Sequence, residues 1–521
     1  MSKTFFFLLL LTVSGIARAA TCESLLTLAL PGTTLTTAEV RPAGEFTPPG
    51  LKPIPNLPAF CRVAGTLKPS ADSDIGFEVW LPTANWNGKF QGIGNGGYAG
   101  AISFGGLADA LRHGYASAST DTGHRDSGES ARWALNHTEK IIDFGYRAIH
   151  ETAVAAKSVI RSFYGDAPKH SYFNSCSNGG RQALMEAQRF PADYDGIIAG
   201  APANYWTHLL SSAASGNHAL LADPASYIPA AKLPAIEAAA LAQCDGADGV
   251  KDGVIDNPPS CRFDPAVLLC KAEETNACLT APQLTALKVI YGGLKNGKGK
   301  PIFPGLSPGG EAEPGGWAGW ITGDAPQKSS MYNYGTQFFI NMVYGNPDWQ
   351  FRSFDPDRDV KAADDRMAKH LNATDPDLSA FEKRGGKLIP FHGWADAAIP
   401  AINAINYYES VQAKMGAGKT NEFVRLYMVP GMEHCGGGPG PNVFGQFGTP
   451  NADRFHNIDA ALEAWVEQGT APAEIIATKY NTNNDARSGV ARTRPLCTWP
   501  QLAKYKGTGS TDDAANFVCA K

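Results

Sequence analysis

Beyond its first residues the 521-residue sequence has no apolar run of the roughly 20 residues that a membrane helix needs, which excludes an integral helical membrane protein. It also lacks any block of like charge. Its 45 Lys and Arg face 50 Asp and Glu, a net charge of -5, and no basic stretch offers a footprint for nucleic acid or an anionic membrane. What remains as partner is a small molecule or a polymer substrate. Internal repeats and low-complexity tracts are missing too, so neither a repeat array nor a long flexible linker is expected.

The apolar run that does occur, Phe5 to Val13, follows Lys3 and precedes the small-residue pattern Ala17, Arg18, Ala19. That is the order of a secretory signal peptide, with cleavage expected after Ala19 and a protein exported to the periplasm or medium. All ten cysteines lie beyond it, an even number suited to an oxidising compartment and to five disulfides. Eight fall into neighbouring pairs: Cys22 with Cys61, Cys244 with Cys261, Cys270 with Cys278, and Cys497 with Cys519. Cys176 and Cys435 are left for each other, far apart in the chain.

The patterning alternates strand and helix. Ile75, Phe77, Val79 and Leu81 have the period of two expected of a half-buried strand, and a second strand ends at Ile93 before the glycine-rich GIGNGGYAG, residues 92 to 100. From 147 to 164, Ala148, Thr152, Ala153, Ala156, Val159, Ile160 and Phe163 recur at helical spacing until GDAP. The strand HSYFNS, a helix over 179–190 ended by Pro191, and the strand GIIAG follow. This rhythm predicts a mostly parallel sheet flanked by helices. From 207 to 383 the character shifts to clustered cysteines, Gly/Pro-rich loops and many aromatics, the mark of an inserted lid domain. Regular pattern returns with the strand KLIPFHG, a helix over 401–415, the strand FVRLYMV and a helix over 458–467. The expected organisation is a core in two parts, 20–206 and 384–521, with the lid between them.

SYFNSCSNGGRQALMEAQRF places Ser177 on a tight turn between strand and helix, where a serine is held exposed at a helix N-terminus. The usual elbow reads G-x-S-x-G; here Ser175 replaces its first glycine, and a plain polar turn is the competing reading. A serine hydroxyl needs a base, and a histidine base needs an acid to fix its tautomer. Asp396 follows KLIPFHGWA and His434 lies in PGMEHCGGGPG after the next strand, which gives the order Ser, Asp, His of α/β-hydrolases. Taken singly, each is equally a loop cap or a structural histidine. Together the two leftover cysteines, immediate neighbours of Ser177 and His434, tip the balance: a disulfide holds its Cα atoms within about 7 Å and brings hydroxyl and imidazole within reach. For an oxyanion, the backbone N–H of Asn178 follows the nucleophile, and Gly96 or Gly97 is the candidate for a second donor. The glycine loop lacks the Lys-Ser/Thr ending of a phosphate-binding loop.

At this point the sequence resembles the tannase and feruloyl esterase family, through CSNGGRQALMEAQRFPADYDGIIAGAPA, HGWADAAIP, PGMEHCGGGPG and TDTGH at 120 to 124. The resemblance implies the same triad, Ser177, Asp396 and His434, and the same Cys176–Cys435 bridge, with Ser175 a departure from the glycine common in relatives. CDGADGVKDGVIDNP carries Asp245, Asp248, Asp252 and Asp256 among glycines. By itself this is either a hard-cation site or a solvated acidic turn, since it departs from EF-hand spacing. The resemblance implies a structural calcium held by carboxylates of Asp245, Asp248 and Asp252 and carbonyls of Val250 and Val254, with Asp256 less certain. No organic cofactor is implied.

It also implies an ester hydrolase for feruloyl, galloyl or other aryl esters. Trp317, Trp320, Tyr332, Tyr334, Phe338, Phe339 and Tyr344 supply aromatic surface for a planar acyl group or for the lid's own core. A terephthalate monoester would call for an arginine at its carboxylate. None occurs between Arg262 and Arg352, leaving Lys328 as an imperfect substitute, so neutral phenolic esters rank first and feruloyl before galloyl. A secreted peptidase with the same triad and a silent calcium-dependent binding protein are the other readings.

Overall fold

The computed structural model describes residues 20–446, 453–482 and 485–521, so the expected signal peptide at 1–19 lies outside the described residues. Nine strands form the main sheet: β1 (Thr33–Arg41), β2 (Phe60–Leu67), β3 (Ile75–Pro82), β4 (Lys89–Ile93), β5 (Ala116–Thr120), β6 (His170–Cys176), β7 (Gly196–Gly200), β8 (Lys387–Gly393) and β9 (Tyr427–Val429). In space their order is β1-β2-β3-β5-β4-β6-β7-β8-β9. The β1/β2, β2/β3 and β3/β5 pairs are antiparallel, and every pair from β5 to β9 is parallel.

Parallel neighbours need crossovers, and helices supply them. Helix α1 (Phe104–Arg112) joins β4 to β5, α2 (Ala148–Tyr164) leads into β6, and α3 (Asn178–Arg189) joins β6 to β7. The apolar stripe read from the sequence packs α2 on the sheet through Ala148, Ala153, Ala156, Val159 and Ile160. Gly165 ends that helix at φ 83°, a left-handed cap that a glycine adopts without strain. Because β5 and β6 flank β4 on opposite sides, the chain reverses direction across the sheet there, and the carboxyl ends of β4 and β6 open a crevice of the kind that binds ligands in open α/β sheets.

Two expectations are corrected. β3 was expected to be half-buried, yet all eight of its residues are buried. Its alternation has another cause: Glu78, on the second face, is charge-paired to Arg62, whose Nε donates at 2.9 Å, and accepts from the Trp80 indole at 2.8 Å. A buried carboxylate with such partners is tolerated without water. The strand expected over 423–429 shrinks to Tyr427–Val429, with Val424 touching the sheet through a single bridge to Leu388.

Between β7 and β8 the chain contributes nothing to the main sheet. Helix α4 (Trp206–Leu221) opens this excursion, so the expected border at 206/207 falls within its first turn. A second apolar cluster, including Leu209, Leu210, Ile236, Leu287, Phe338 and Phe339, holds it together. Each fully buried phenylalanine there contributes about 1.5–3 kcal/mol. Tyr98 and Ile399 from loops at the carboxyl edge of the sheet, and Phe144 from the helical turn leading into α2, join the same cluster, which seats the excursion over the crevice. Helices α5 (Ile402–Met415) and α6 (Ile458–Gln468) follow β8 and β9.

Candidate active site

Ser177 occupies φ 69°, ψ -126°, between the last residue of β6 and the first of α3. A side chain in that region costs of order 1–3 kcal/mol and persists only when its surroundings enforce it. Here its N–H donates to Gly200 O at 2.9 Å, and its carbonyl accepts from Arg181 and Ala203, both at 3.1 Å. Glycines make the tight turn possible: a Cβ at Gly180 would sit 2.2 Å from Gly200 O. The departure at Ser175 is accommodated in the same way. Its Oγ fills space that a Cβ on Gly179 or Gly94 would enter, at 1.9 and 2.8 Å.

Asp396, four residues beyond His392 of β8, and His434, in the loop after β9, converge on this serine. His434 Nε2 lies 2.9 Å from Ser177 Oγ, and His434 Nδ1 lies 2.9 Å from Asp396 Oδ2. An ionised carboxylate only accepts, so the Nδ1 proton faces Asp396 and the lone pair on Nε2 faces the hydroxyl. Asp396 is wholly buried, and burial alone would favour its neutral form. The attraction of His434, hydrogen bonds from His392 and His434, and the charge of His392 outweigh it and hold the carboxyl well below the usual range. Its Oδ1 also accepts from the amides of Ala398 and Ile399, at 2.8 and 2.9 Å.

The five disulfides are those expected: Cys22–Cys61, Cys176–Cys435, Cys244–Cys261, Cys270–Cys278 and Cys497–Cys519. Cys176 and Cys435 hold their Cα atoms 6.0 Å apart across 259 residues of sequence, which fastens the serine turn to the histidine loop.

A cavity of about 620 Å³ opens onto Ser177 and His434. Gly96 and Gly97 border it together with Ser103, Asp126, Glu129, Trp320 and Tyr334. Gly97 stands at φ 54°, where a Cβ would lie 2.2 Å from Gly128 O, so only glycine fits. The loop is pinned by the buried His124, part of TDTGH, which donates to Tyr98 O from Nε2 at 2.8 Å and stacks on Trp133 at 3.8 Å. Burial pushes that imidazole down to about 4, so it is neutral at ordinary pH. Asn178 opens α3, and the first N–H groups of a helix have no acceptor within it.

Of the seven aromatics named from the sequence, Trp320 and Tyr334 border the cavity, and the Trp320 ring stands edge-on 5.0 Å from that of His434. Trp317, Phe338 and Phe339 are core. Lys328 is exposed and is not among the residues bordering the cavity. Three site residues escaped the sequence reading: Asp126 and Glu129 on the cavity wall, and His392, whose Nε2 lies 3.1 Å from Asp396 Oδ2 and 3.0 Å from Ile399 O. For His392 a signal was available, since it stands four residues before the acid in HGWAD.

In the acidic loop, Asp245 accepts from the amides of Asp252 and Gly253 at 3.1 and 3.2 Å, Asp248 from Val250 at 2.9 Å, and Asp252 from Val254 at 3.2 Å. Arg492 and Arg494 also hold Asp252, at 2.8 and 2.5 Å. Asp256 is buried with Oδ1 lacking any hydrogen bond. Burial, then the charge of Asp248, pushes its carboxyl well up. An oxygen-rich loop with an orphaned, crowded carboxylate fits a hard divalent cation.

The tannase and feruloyl esterase family model matches residues 61–520. The chain is 46% identical to an uncharacterized esterase of Xanthomonas campestris pv. campestris, over 96% of this chain and 91% of that protein. It is 36% identical to a probable feruloyl esterase B-2 of Aspergillus flavus, over 84% and 83% of the two chains. The crystal structure of feruloyl esterase B from Aspergillus oryzae superposes with a TM-score of 0.89 at 29% identity, covering 96% of this chain and 99% of that one. Tannin acyl hydrolase from Aspergillus niger gives 0.75 at 25% identity, over 94% and 92%. With the α/β-hydrolase sheet and these likenesses along nearly its whole length, the chain belongs to the tannase and feruloyl esterase family of carboxylic ester hydrolases.

Proposed function

We propose that this protein is an exported serine esterase that cleaves neutral phenolic esters, feruloyl esters first, through an acyl-enzyme. The observation that carries the reading is the continuous chain from Ser177 through His434 to Asp396 at the floor of an open cavity. Ser177 attacks the ester carbonyl as His434 takes its proton; His434 then returns the proton to the departing alcohol. Water, activated by the same imidazole, releases the acid. Asp396 holds the ring and balances its transient positive charge. The oxyanion is stabilised by the Asn178 N–H together with Gly96 or Gly97.

The polarity of the cavity supports a neutral acyl group. Besides His434 and the Tyr334 phenol, its ionisable wall residues are the carboxylates Asp126 and Glu129, with neither lysine nor arginine among the described residues bordering it. Glu129 accepts from Ser330 Oγ at 2.6 Å and from Asn333 Nδ2 at 2.7 Å. A terephthalate monoester would bring its own carboxylate against these charges. Trp320 and Tyr334 suit a planar ring. The signal-peptide pattern and five disulfides support export. Calcium, held by Asp245, Asp248, Asp252 and the carbonyls of Val250 and Val254, serves the loop's stability and takes no part in the reaction.

Hydrolysis of methyl ferulate, methyl gallate and monomethyl terephthalate by purified protein tests this reading. The two phenolic esters are expected to turn over with methyl ferulate ahead, the anionic ester at least about tenfold more slowly, and Ser177→Ala to remove activity by several orders of magnitude. Activity that survives Ser177→Ala, or cleavage of peptides without aryl esters, rejects it.

A further inference from the structure

Away from the cavity, three ligand-type side chains meet where α2, the last turn of α3 and the turn before β7 come together. One ligand atom each from His150, Glu186 and Asp193 lies within 4.8 Å of the other two. Glu186 is 1% exposed, and neither of its carboxylate oxygens receives a hydrogen bond. What faces it is another carboxylate, Asp193, itself 7% exposed. Two buried like charges in contact cost several kcal/mol unless a proton or a cation joins them. Lys157, whose ammonium donates to the backbone carbonyl of Asp193, attracts Glu186 but less than Asp193 repels it, and it makes no hydrogen bond to either Glu186 oxygen.

The third member brings an imidazole that shares a proton with Asp193, a proton that a divalent metal would displace. His150 Nδ1 lies 2.6 Å from Asp193 Oδ2, and its ring is stacked on Phe190 at 3.9 Å, which fixes the plane in which its nitrogens point. One imidazole and two carboxylates form a donor set suited to divalent first-row transition ions, zinc above all, and too nitrogen-bearing and too few in oxygens for calcium. Zinc ligands at about 2.0–2.2 Å stand about 3.3–3.6 Å apart on a tetrahedral ion, so binding would open the His150–Asp193 contact from 2.6 Å. The His150 side chain is 28% exposed, which leaves a way in from solvent.

We propose that His150, Glu186 and Asp193 bind one Zn2+, closing with water in the remaining position, and that the ion ties α2 and the turn before β7 to the far end of the helix that begins at the nucleophile. The site is separate from the acidic loop at Asp245–Asp256 and from the ester-cleaving residues, and it stands whether or not the phenolic substrate is correct.

The test is calorimetric titration of chelator-stripped, calcium-repleted full-length protein with ZnCl2, with Co2+ visible absorption as a second probe and thermal melting as a third. One Zn2+ per chain, a higher melting temperature, and d–d bands showing nitrogen and oxygen ligation are expected. Glu186→Gln and His150→Ala should each weaken binding by more than about tenfold, while Asp248→Asn leaves it unchanged. His150 is partly exposed, so His150→Ala remains informative where Glu186→Gln fails to fold. Absence of saturable zinc binding, or a zinc site that survives His150→Ala, overturns the proposal and leaves a proton shared between the two carboxyls.

Discussion

Nε2 of His392 lies 3.1 Å from Oδ2 of Asp396, the same oxygen that faces Nδ1 of His434. Because the carbonyl of Ile399 lies 3.0 Å from that Nε2 as well, the nitrogen is bracketed by two acceptors and carries the hydrogen. Two imidazoles and two backbone amides thus donate to one buried carboxylate, which explains how it remains charged despite complete burial.

His392 is a positioning residue, and removing it should be felt through Asp396. His392→Gln is expected to lower kcat by about 10–100-fold with little change in KM, less than the roughly 10⁴-fold loss expected for Asp396→Asn. The pH profile of kcat/KM should also move, since a carboxylate with one donor fewer alters the basicity of His434. Equal losses in both variants, or a change confined to KM, would refute a positioning role; steady-state kinetics on methyl ferulate decides.

Reduction should silence the enzyme before it unfolds it. The Cys176–Cys435 bond spans 259 residues and holds serine and histidine in register, and a bond of this kind contributes about 2–4 kcal/mol to stability. Cys176→Ala combined with Cys435→Ala is expected to lose at least about 100-fold in kcat/KM while far-ultraviolet circular dichroism stays native. Full activity in the double variant would show that the elbow and loop are placed without the bridge.

Stability should fall as pH rises from about 4.3 to 7 through Glu311. This residue is wholly buried, and burial pushes its carboxyl up to about 7 against the Tyr291 hydroxyl and Gly309 amide that favour the charge. The unfolded chain ionises near 4.3 while the folded one still holds its proton, so the advantage of the fold is complete below that pH and gone above about 7. Glu311→Gln keeps both acceptor contacts without titrating. Its melting temperature should decline less between pH 4.5 and 7 than that of the parent, and parallel curves would assign the dependence elsewhere.

Chelation should lower the melting temperature by several degrees, given that calcium at a hundredfold excess over its Kd contributes about 2.7 kcal/mol. In zinc-free protein the same chelator should change little in Asp248→Asn. An equal shift in both proteins would remove the acidic loop as the source.

Much of the site was legible because its signals are local. Ser177 announces itself by a strand, a small-residue turn and a helix in twenty residues, and the odd cysteines fix its partner without any knowledge of the fold. Legibility ended where partners come from distant loops. Asp126 and Glu129 sit in RDSGES, a stretch with no periodicity, and become cavity wall only because the excursion folds over them. Trp320 and Phe338 read alike as lid aromatics, although one faces the histidine and the other the core. Glu78 made β3 look half-wet because a paired buried charge and a solvated one have the same letter. His150, Glu186 and Asp193 each look ordinary alone; only packing makes them neighbours.

The ladder between β7 and β8 has a last consequence. Gly196 pairs with Lys387 and Gly200 with Phe391, so the long excursion leaves at the carboxyl edge of one strand and re-enters at the amino edge of its parallel neighbour. A segment that connects two strands already paired to one another behaves as a cassette: its length and contents can be exchanged while the scaffold that aims the reactive groups keeps its dimensions. Substrate preference in this architecture can therefore evolve by replacing the cover and sparing the engine beneath.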